Sequence, residues 1–195
     1  MTTHKIASRE EWLAARAALL QREKEHTRMG DELAEQRREL PRLPVEKQYT
    51  LQTADGAKTL VELFDGRSQL LIYHFMFGPS YEAGCPVNSS IADSFDSAIP
   101  HLKARDVTLI ALSGAPIEKL LAYRERMGWS FNWASSYESD LNADLGFSSS
   151  PEQTREAIAP ILDDLPPVAF RNAKAAGTDI YGYLTELFGF TAFTL

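Results

Sequence analysis

The chemistry that this sequence could perform centres on one sulfur atom, because Cys85 is the only cysteine among its 195 residues. Gly84 before it allows a tight turn and leaves space beside the sulfur. Pro86 after it favours the first turn of a helix, where a missing N–H costs nothing. A cysteine at a helix start meets free N–H groups that stabilise a thiolate, the form that attacks other sulfur atoms. We expect Cys85 to be either such a nucleophile or a small buried hydrophobic residue.

Other polar residues near Cys85 are weaker candidates for chemistry. Tyr81 and Glu82 precede it in a loop, where they either line a pocket around the thiol or remain in solvent. His74 lies inside an apolar segment, a setting more typical of a buried, hydrogen-bonded histidine than of a catalytic one. No second histidine or cysteine has the spacing of a metal-ligand pair, so we expect neither a metal nor another cofactor.

The segments that must position Cys85 alternate between strands and helices. Residues 69–77 and 107–112 are apolar and rich in β-branched side chains, which is typical of strands buried on both faces. Residues 131–134 predict a third strand, and helices are expected to begin at Pro86 and Pro116. The order strand, helix, strand, helix, strand implies an α/β fold with parallel strands. Cys85 then lies beyond the carboxyl end of the first buried strand, where reactive groups gather in such sheets.

The rest of the chain carries weaker signals for local structure. Residues 49–53 predict a strand, residues 59–64 a short helix, residues 152–162 a helix, and residues 180–187 another helix. Pro166 and Pro167 predict a break. Residues 190–195 predict a strand with an unpaired edge, which is a site for pairing with another chain.

The N-terminal part predicts a helical arm over residues 1–44, ahead of a domain over residues 45–195. Ser8 and Glu11 have the spacing of a capping box, and one long helix or two consecutive ones should follow over about residues 9–39. Pro41 and Pro44 end this pattern. The apolar stripe is narrow for a core helix. The arm therefore either packs on its own domain or forms a dimer.

The charge and hydropathy of the sequence limit the kinds of partner molecule and the cellular location that we expect. The formal net charge is −7, and residues 1–47 carry ten basic and nine acidic side chains, so the acidic excess belongs to the rest of the chain. An acidic domain argues against a nucleic-acid partner. The longest apolar stretch, residues 70–77, is far too short for a membrane span. We expect no secretory signal at residues 1–6, and a single cysteine favours a reducing compartment, so we expect a cytoplasmic protein.

Several segments together resemble thioredoxin-like and peroxiredoxin-like proteins, and more narrowly a family of predicted dithiol-disulfide oxidoreductases catalogued as a domain of unknown function. The segments that carry this resemblance are residues 8–13, 73–78, 84–86, 105–109 and 126–129. The resemblance implies a thioredoxin-like central sheet flanked by helices, with an N-terminal helical arm. It also implies that Cys85 is the nucleophile and that Gly84 and Pro86 shape its turn.

The sequence departs from these families at three places. Asn88 stands where many members carry the second cysteine of C-x-x-C, so only a monothiol role remains, in which Asn88 would hold the thiolate by a hydrogen bond. Glu82 stands where peroxiredoxins have Thr or Ser, and a carboxylate beside the sulfur would disfavour the thiolate. We also expect the final hairpin and helix of the thioredoxin-like domain to be incomplete.

These observations favour a monothiol thiol-disulfide oxidoreductase or weak peroxidase, with a thiol, disulfide or peroxide as substrate. The alternative is a non-enzymatic binding or assembly module that keeps the fold and has lost the chemistry. In either case, a homodimer could form through the N-terminal helix or the C-terminal strand.

Overall fold

The computed structural model describes residues 5–195, in which a six-stranded mixed sheet is flanked by helices. The prediction that residues 1–6 form no secretory signal falls largely on residues 1–4, which lie outside the described residues. The strands are β1 (Thr50–Thr53), β2 (Gly56–Thr59), β3 (Gln69–His74), β4 (Val107–Ser113), β5 (Asn132–Ser135) and β6 (Gly189–Thr194). The helices are α1 (Arg9–Glu39), α2 (Pro86–Ala92), α3 (Phe95–Lys103), α4 (Ile117–Met127), α5 (Leu141–Asp144), α6 (Pro151–Ile158), α7 (Pro167–Ala175) and α8 (Ile180–Tyr183).

The sheet has the order β2-β1-β5-β4-β3-β6, and its three central strands are parallel. β6 pairs antiparallel with β3 along its whole length, and β1 pairs antiparallel with β2 and β5. Alternate side chains of β3 enter two cores, since Ile72 packs on one face of the sheet and Tyr73 on the other. This arrangement confirms the predicted α/β fold with a central sheet flanked by helices.

Some local predictions were wrong, and proline or glycine explains most of them. Residues 59–64 are not one helix: Gly56 (φ +102) closes the β1–β2 hairpin, and only Glu62–Phe64 form a 3-10 helix. The helix predicted over residues 152–162 ends at Ile158 and continues as a 3-10 helix that contains Pro160. The predicted break at Pro166 and Pro167 instead begins α7, because proline fits the first turn of a helix.

The helix predicted for the N-terminal arm is continuous from Arg9 to Glu39. Its capping box is present as predicted: Ser8 N–H donates to Glu11 at 2.9 Å, and Glu11 N–H donates to the Ser8 hydroxyl at 3.2 Å. The chain forms two compact units, of which the first ends at Glu46 and the second is Lys47–Leu195. None of the side chains described for α1 is buried, and Trp12 is 59% exposed.

β6 lies at one end of the sheet, beside β3. In the described part of the chain no further strand pairs with it, so it is an edge strand, as expected. Its side chains alternate between half-buried and exposed, and Phe190 is among the exposed ones. No helix within residues 5–195 is long and apolar enough to cross a membrane.

Candidate functional site

Cys85 lies where the chain returns from the loop after β3 and enters α2. Its N–H donates to the Met76 carbonyl at 3.1 Å, which holds the loop against the end of the strand. Pro86 is the first residue of α2, as predicted, and Cys85 is its N-cap residue. The helix that begins there, α2, has only seven residues, and α3 follows it from Phe95. The Cys85 side chain is 1% exposed, so its sulfur is enclosed by protein.

The Cys85 thiol is hydrogen-bonded to the phenol of Tyr183 in α8. The distance from Cys85 Sγ to Tyr183 Oη is 2.9 Å, a hydrogen bond across 98 residues of sequence. Burial raises the pKa of Tyr183, and the adjacent Cys85 raises it further, so the phenol keeps its proton at neutral pH. The Asn172 side chain faces the same hydroxyl and opposes this shift. Tyr183 can therefore donate its O–H to the sulfur, particularly when the sulfur is a thiolate.

Tyr81 supports this arrangement from the loop before Cys85. Its side chain is fully buried, its hydroxyl donates to the Tyr183 carbonyl, and the two rings stack with their centroids 5.6 Å apart. The Tyr81 carbonyl in turn accepts a hydrogen bond from Lys119 Nζ at 2.7 Å. Tyr81 therefore fixes the residue that contacts the sulfur and does not remain in a solvated loop.

Asn88 is also buried, one turn into α2. Its Oδ1 accepts a hydrogen bond from the Met76 N–H at 2.9 Å, which determines how the amide is oriented. Its Nδ2 has no hydrogen-bond partner within residues 5–195, and neither has the buried Tyr73 hydroxyl that faces the same amide. The predicted contact between Asn88 and a Cys85 thiolate stays a prediction.

Gly84 and Glu82 have surroundings that differ from expectation. A Cβ on Gly84 would lie 2.7 Å from Phe75 Cε1 and 2.9 Å from Tyr123 Cε1, so the close approach of two rings requires glycine here. Glu82 is exposed and packs against Gly177, where a Cβ would lie 2.6 Å from the Glu82 Cβ. Its carboxylate is thus directed to solvent, although the sequence suggested that it lies beside the sulfur.

His74, the last residue of β3, is fully buried and is hydrogen-bonded at both ring nitrogens. Nδ1 is 2.9 Å from Asn142 Oδ1, and Nε2 is 2.9 Å from Thr191 Oγ1. The ring stacks on Phe147 at a centroid distance of 3.6 Å, and burial lowers the pKa of His74 to about 4. A neutral, satisfied imidazole of this kind is structural. Among the described residues, no three His, Cys, Asp or Glu side chains are placed to hold a metal ion.

Sequence reasoning identified Cys85 but missed Tyr183, which is the residue that contacts its sulfur. The predicted helix over residues 180–187 includes Tyr183, and a tyrosine in an amphipathic segment usually packs in the core. Only the fold brings α8 to the loop before α2. No local pattern in the sequence could have joined these two side chains.

Comparisons with known proteins give a family and several distant structures. The family model described as "Bacterial protein of unknown function (DUF899)" matches residues 1–195. No curated protein matches the chain significantly. Peroxidoxin BcpB from Mycobacterium tuberculosis is 13% identical with a TM-score of 0.45, over 53% of this chain and 64% of that protein. PrxQ from Xylella fastidiosa is 13% identical with a TM-score of 0.44, over 57% and 70% of the two chains.

A third similar structure, peroxiredoxin 6 of Arenicola marina, is 17% identical with a TM-score of 0.45. The match covers 56% of this chain and 51% of that one. This chain therefore spans less than two thirds of the length of the peroxidoxin and about half of that of peroxiredoxin 6.

Proposed function

Because this chain belongs to the DUF899 family, which is described only as bacterial protein of unknown function, we propose its function from the site itself: it is a monothiol redox protein whose nucleophile is Cys85. The observation that supports this most directly is the 2.9 Å hydrogen bond between Cys85 Sγ and Tyr183 Oη. A hydrogen bond to an ionised partner is stronger than one between neutral groups, so this contact strengthens when the sulfur carries a negative charge.

The reaction begins when the Cys85 thiolate attacks one sulfur of a small disulfide. The new bond joins Cys85 Sγ to that sulfur, and the second sulfur leaves as a thiolate that takes a proton from water. With a hydroperoxide, the thiolate attacks the terminal oxygen, Cys85 becomes a sulfenic acid, and the rest of the peroxide leaves as an alkoxide or hydroxide. Since the chain has one cysteine, the thiol that regenerates Cys85 must come from another molecule.

The burial of the sulfur restricts the substrate. Tyr183 belongs to the one-turn helix α8. The N-cap residue of this helix, Asp179, accepts a hydrogen bond from the Gly182 N–H at 2.6 Å. A large protein substrate could reach Sγ only after this helix moves. The geometry therefore favours low-molecular-weight thiols, disulfides and peroxides, with Asn88 Nδ2 as a second donor to the thiolate.

The test is mass spectrometry of the native protein after mild hydrogen peroxide and then glutathione. We expect one glutathione adduct per chain, located at Cys85, because a sulfenic acid condenses with a thiol to a disulfide. Cys85→Ser is the control and should carry none. A native protein that stays unmodified, while the same protein unfolded in urea reacts fully, would contradict the proposal.

The second candidate is a binding or assembly module, and the enclosure of Cys85 favours it, as do the exposed apolar side chains of α1. In that case α1 or the free edge of β6 would form a homodimer, in a reducing compartment and with no nucleic acid involved. The glutathione adduct separates the two candidates, because a redox protein could also be a dimer. A native protein that forms no adduct and is a dimer by light scattering supports the assembly module, whereas a monomer would contradict the homodimer.

A further inference from the structure

A cleft of about 780 Å³ opens at the carboxyl ends of the central strands, and the reaction at Cys85 does not require it. Gly114 reaches it from the end of β4 and Ser136 from the end of β5. Glu186 reaches it from the segment that follows α8. In an open α/β sheet, this edge is where ligands bind.

Glu186 is the unusual residue in this cleft, because its carboxylate is buried and only half satisfied. The residue is 3% exposed, and its Oε1 accepts a hydrogen bond from Ser148 Oγ at 3.2 Å. The Gly114 backbone amide faces this carboxylate and acts to lower the pKa of Glu186, against the larger effect of burial. Oε2 has no hydrogen-bond partner in the described part of the chain. A buried acceptor without a partner is costly, and native structures retain one only for a reason.

The surrounding backbone holds Glu186 in this position. The Ser149 N–H donates to the Thr185 carbonyl at 2.9 Å, and the Leu187 N–H donates to the Phe147 carbonyl at 2.8 Å. A Cβ on Gly114 would lie 2.6 Å from Glu186 Oε1, so glycine at this position makes room for the carboxylate. Both the carboxylate and the space for it are therefore built into the fold.

The charge of the cleft favours a cation. The described residues that line the cleft carry three carboxylates and one guanidinium. The carboxylates are those of Asp140, Asp179 and Glu186, and the guanidinium is that of Arg155. Lys47 pairs with Asp140 at 2.7 Å, which leaves Asp179 and Glu186 against Arg155, an excess of one negative charge when all three are ionised. Eight serine and threonine residues also line the cleft and offer hydroxyl oxygens. Such a lining suits a polar cationic ligand better than an anion or an apolar molecule.

We propose that this cleft binds a small molecule that presents a protonated amine to Glu186 Oε2. An ammonium group donates one N–H to the oxygen that the protein leaves unpaired, and the hydroxyl oxygens accept its other N–H groups. Its charge also compensates a carboxylate that is otherwise buried without a cation. The proposal concerns binding and stands independently of the reaction at Cys85.

The test is an NMR titration at pH 8 with n-butylamine as the probe and 1-butanol as its neutral counterpart. We expect saturable shifts of the Gly114 and Glu186 amide signals with n-butylamine, and a dissociation constant at least tenfold weaker for 1-butanol. Because this comparison uses the native protein, it does not depend on the folding of any variant. Equal affinity for the two probes, or shifts that do not saturate, would overturn the proposal.

Two variants locate the site. Glu186→Gln keeps the shape of the side chain and removes its charge. Gly114→Ala adds a methyl group that displaces the Glu186 carboxylate. Each substitution should weaken n-butylamine binding at least tenfold. Glu118→Gln, which removes an exposed carboxylate of α4, is the matched control and should bind like the native protein. If Glu186→Gln bound n-butylamine with native affinity, the ammonium site would lie elsewhere and the assignment would be wrong. Cys85→Ser should bind normally, so a failure of the redox proposal would not affect this result.

Discussion

Glu186→Gln is expected to gain about 3 kcal/mol in free energy of unfolding, relative to the native protein, as the pH rises from 4.5 to 7. Burial raises the pKa of Glu186 from 4.5 to about 7. Below pH 4.5 the carboxyl is protonated in both the folded and the unfolded chain, so its ionisation does not affect stability. Between pH 4.5 and 7 the unfolded chain releases a proton that the folded protein retains, so the native protein loses stability over this interval. The glutamine variant has no such loss.

The measurement is urea unfolding of both proteins, followed by circular dichroism, at half-unit steps from pH 4 to 8. Groups that titrate in both proteins cancel in the difference, including His74, whose pKa burial lowers to about 4. The cleft residues Asp140, Asp179 and Arg155 are likewise present in both. Glu118→Gln, which removes an exposed carboxylate, is measured alongside as the matched control. A pH-independent difference for Glu186→Gln would mean that Glu186 ionises in the fold as it does in the unfolded chain.

Glu186 is also an example of a feature that could not be predicted from the sequence. The strands β3 and β4 were predictable because long apolar, β-branched runs are typical of strands covered on both faces. The start of α1 was predictable because a capping box is local, involving only Ser8 and Glu11. Glu186 carries no such signal, since a single acidic residue near the end of a predicted helix is ordinarily exposed. Its burial follows from the pairing of residues 147–149 with residues 185–187, which only the folded chain creates.

The candidate site likewise contains features that could be predicted from the sequence and features that could not. Pro86 marked the start of α2 and therefore the position of Cys85, because the preference of proline for a first turn is a local property. Gly84 was predicted to allow a tight turn and to leave space beside the sulfur, and the structure adds a further need for glycine: the rings of Phe75 and Tyr123 approach too closely for a side chain. Phe75 lies just after β3, and Tyr123 comes from the more distant helix α4. Contacts of this kind depend on the packing of complete elements and leave no periodicity to detect.

Tyr183→Phe is expected to slow the oxidation of Cys85 by hydrogen peroxide at pH 7 by about 10- to 100-fold. The variant keeps the ring that stacks on Tyr81 and removes only the hydroxyl that lies 2.9 Å from Sγ. A hydrogen bond to a charged group contributes roughly 1.5–3 kcal/mol, which corresponds to a fall of this size in the thiolate population. The rate is followed as loss of free thiol in the native state, and Tyr137→Phe, an exposed tyrosine after β5, is the matched control.

The pH dependence of this effect separates stabilisation of the thiolate from a purely structural role of Tyr183. If the phenol acts by stabilising the thiolate, the difference in rate between Tyr183→Phe and the native protein should diminish as the pH rises, because the thiolate then forms without its help. If the hydroxyl only supports the packing of α8, its loss should loosen the cover over Cys85 and increase the rate at every pH. An unchanged or faster rate in Tyr183→Phe would therefore remove the main support for a redox function, whereas a slower rate that recovers in alkali would establish Tyr183 as the positioning residue of the thiolate.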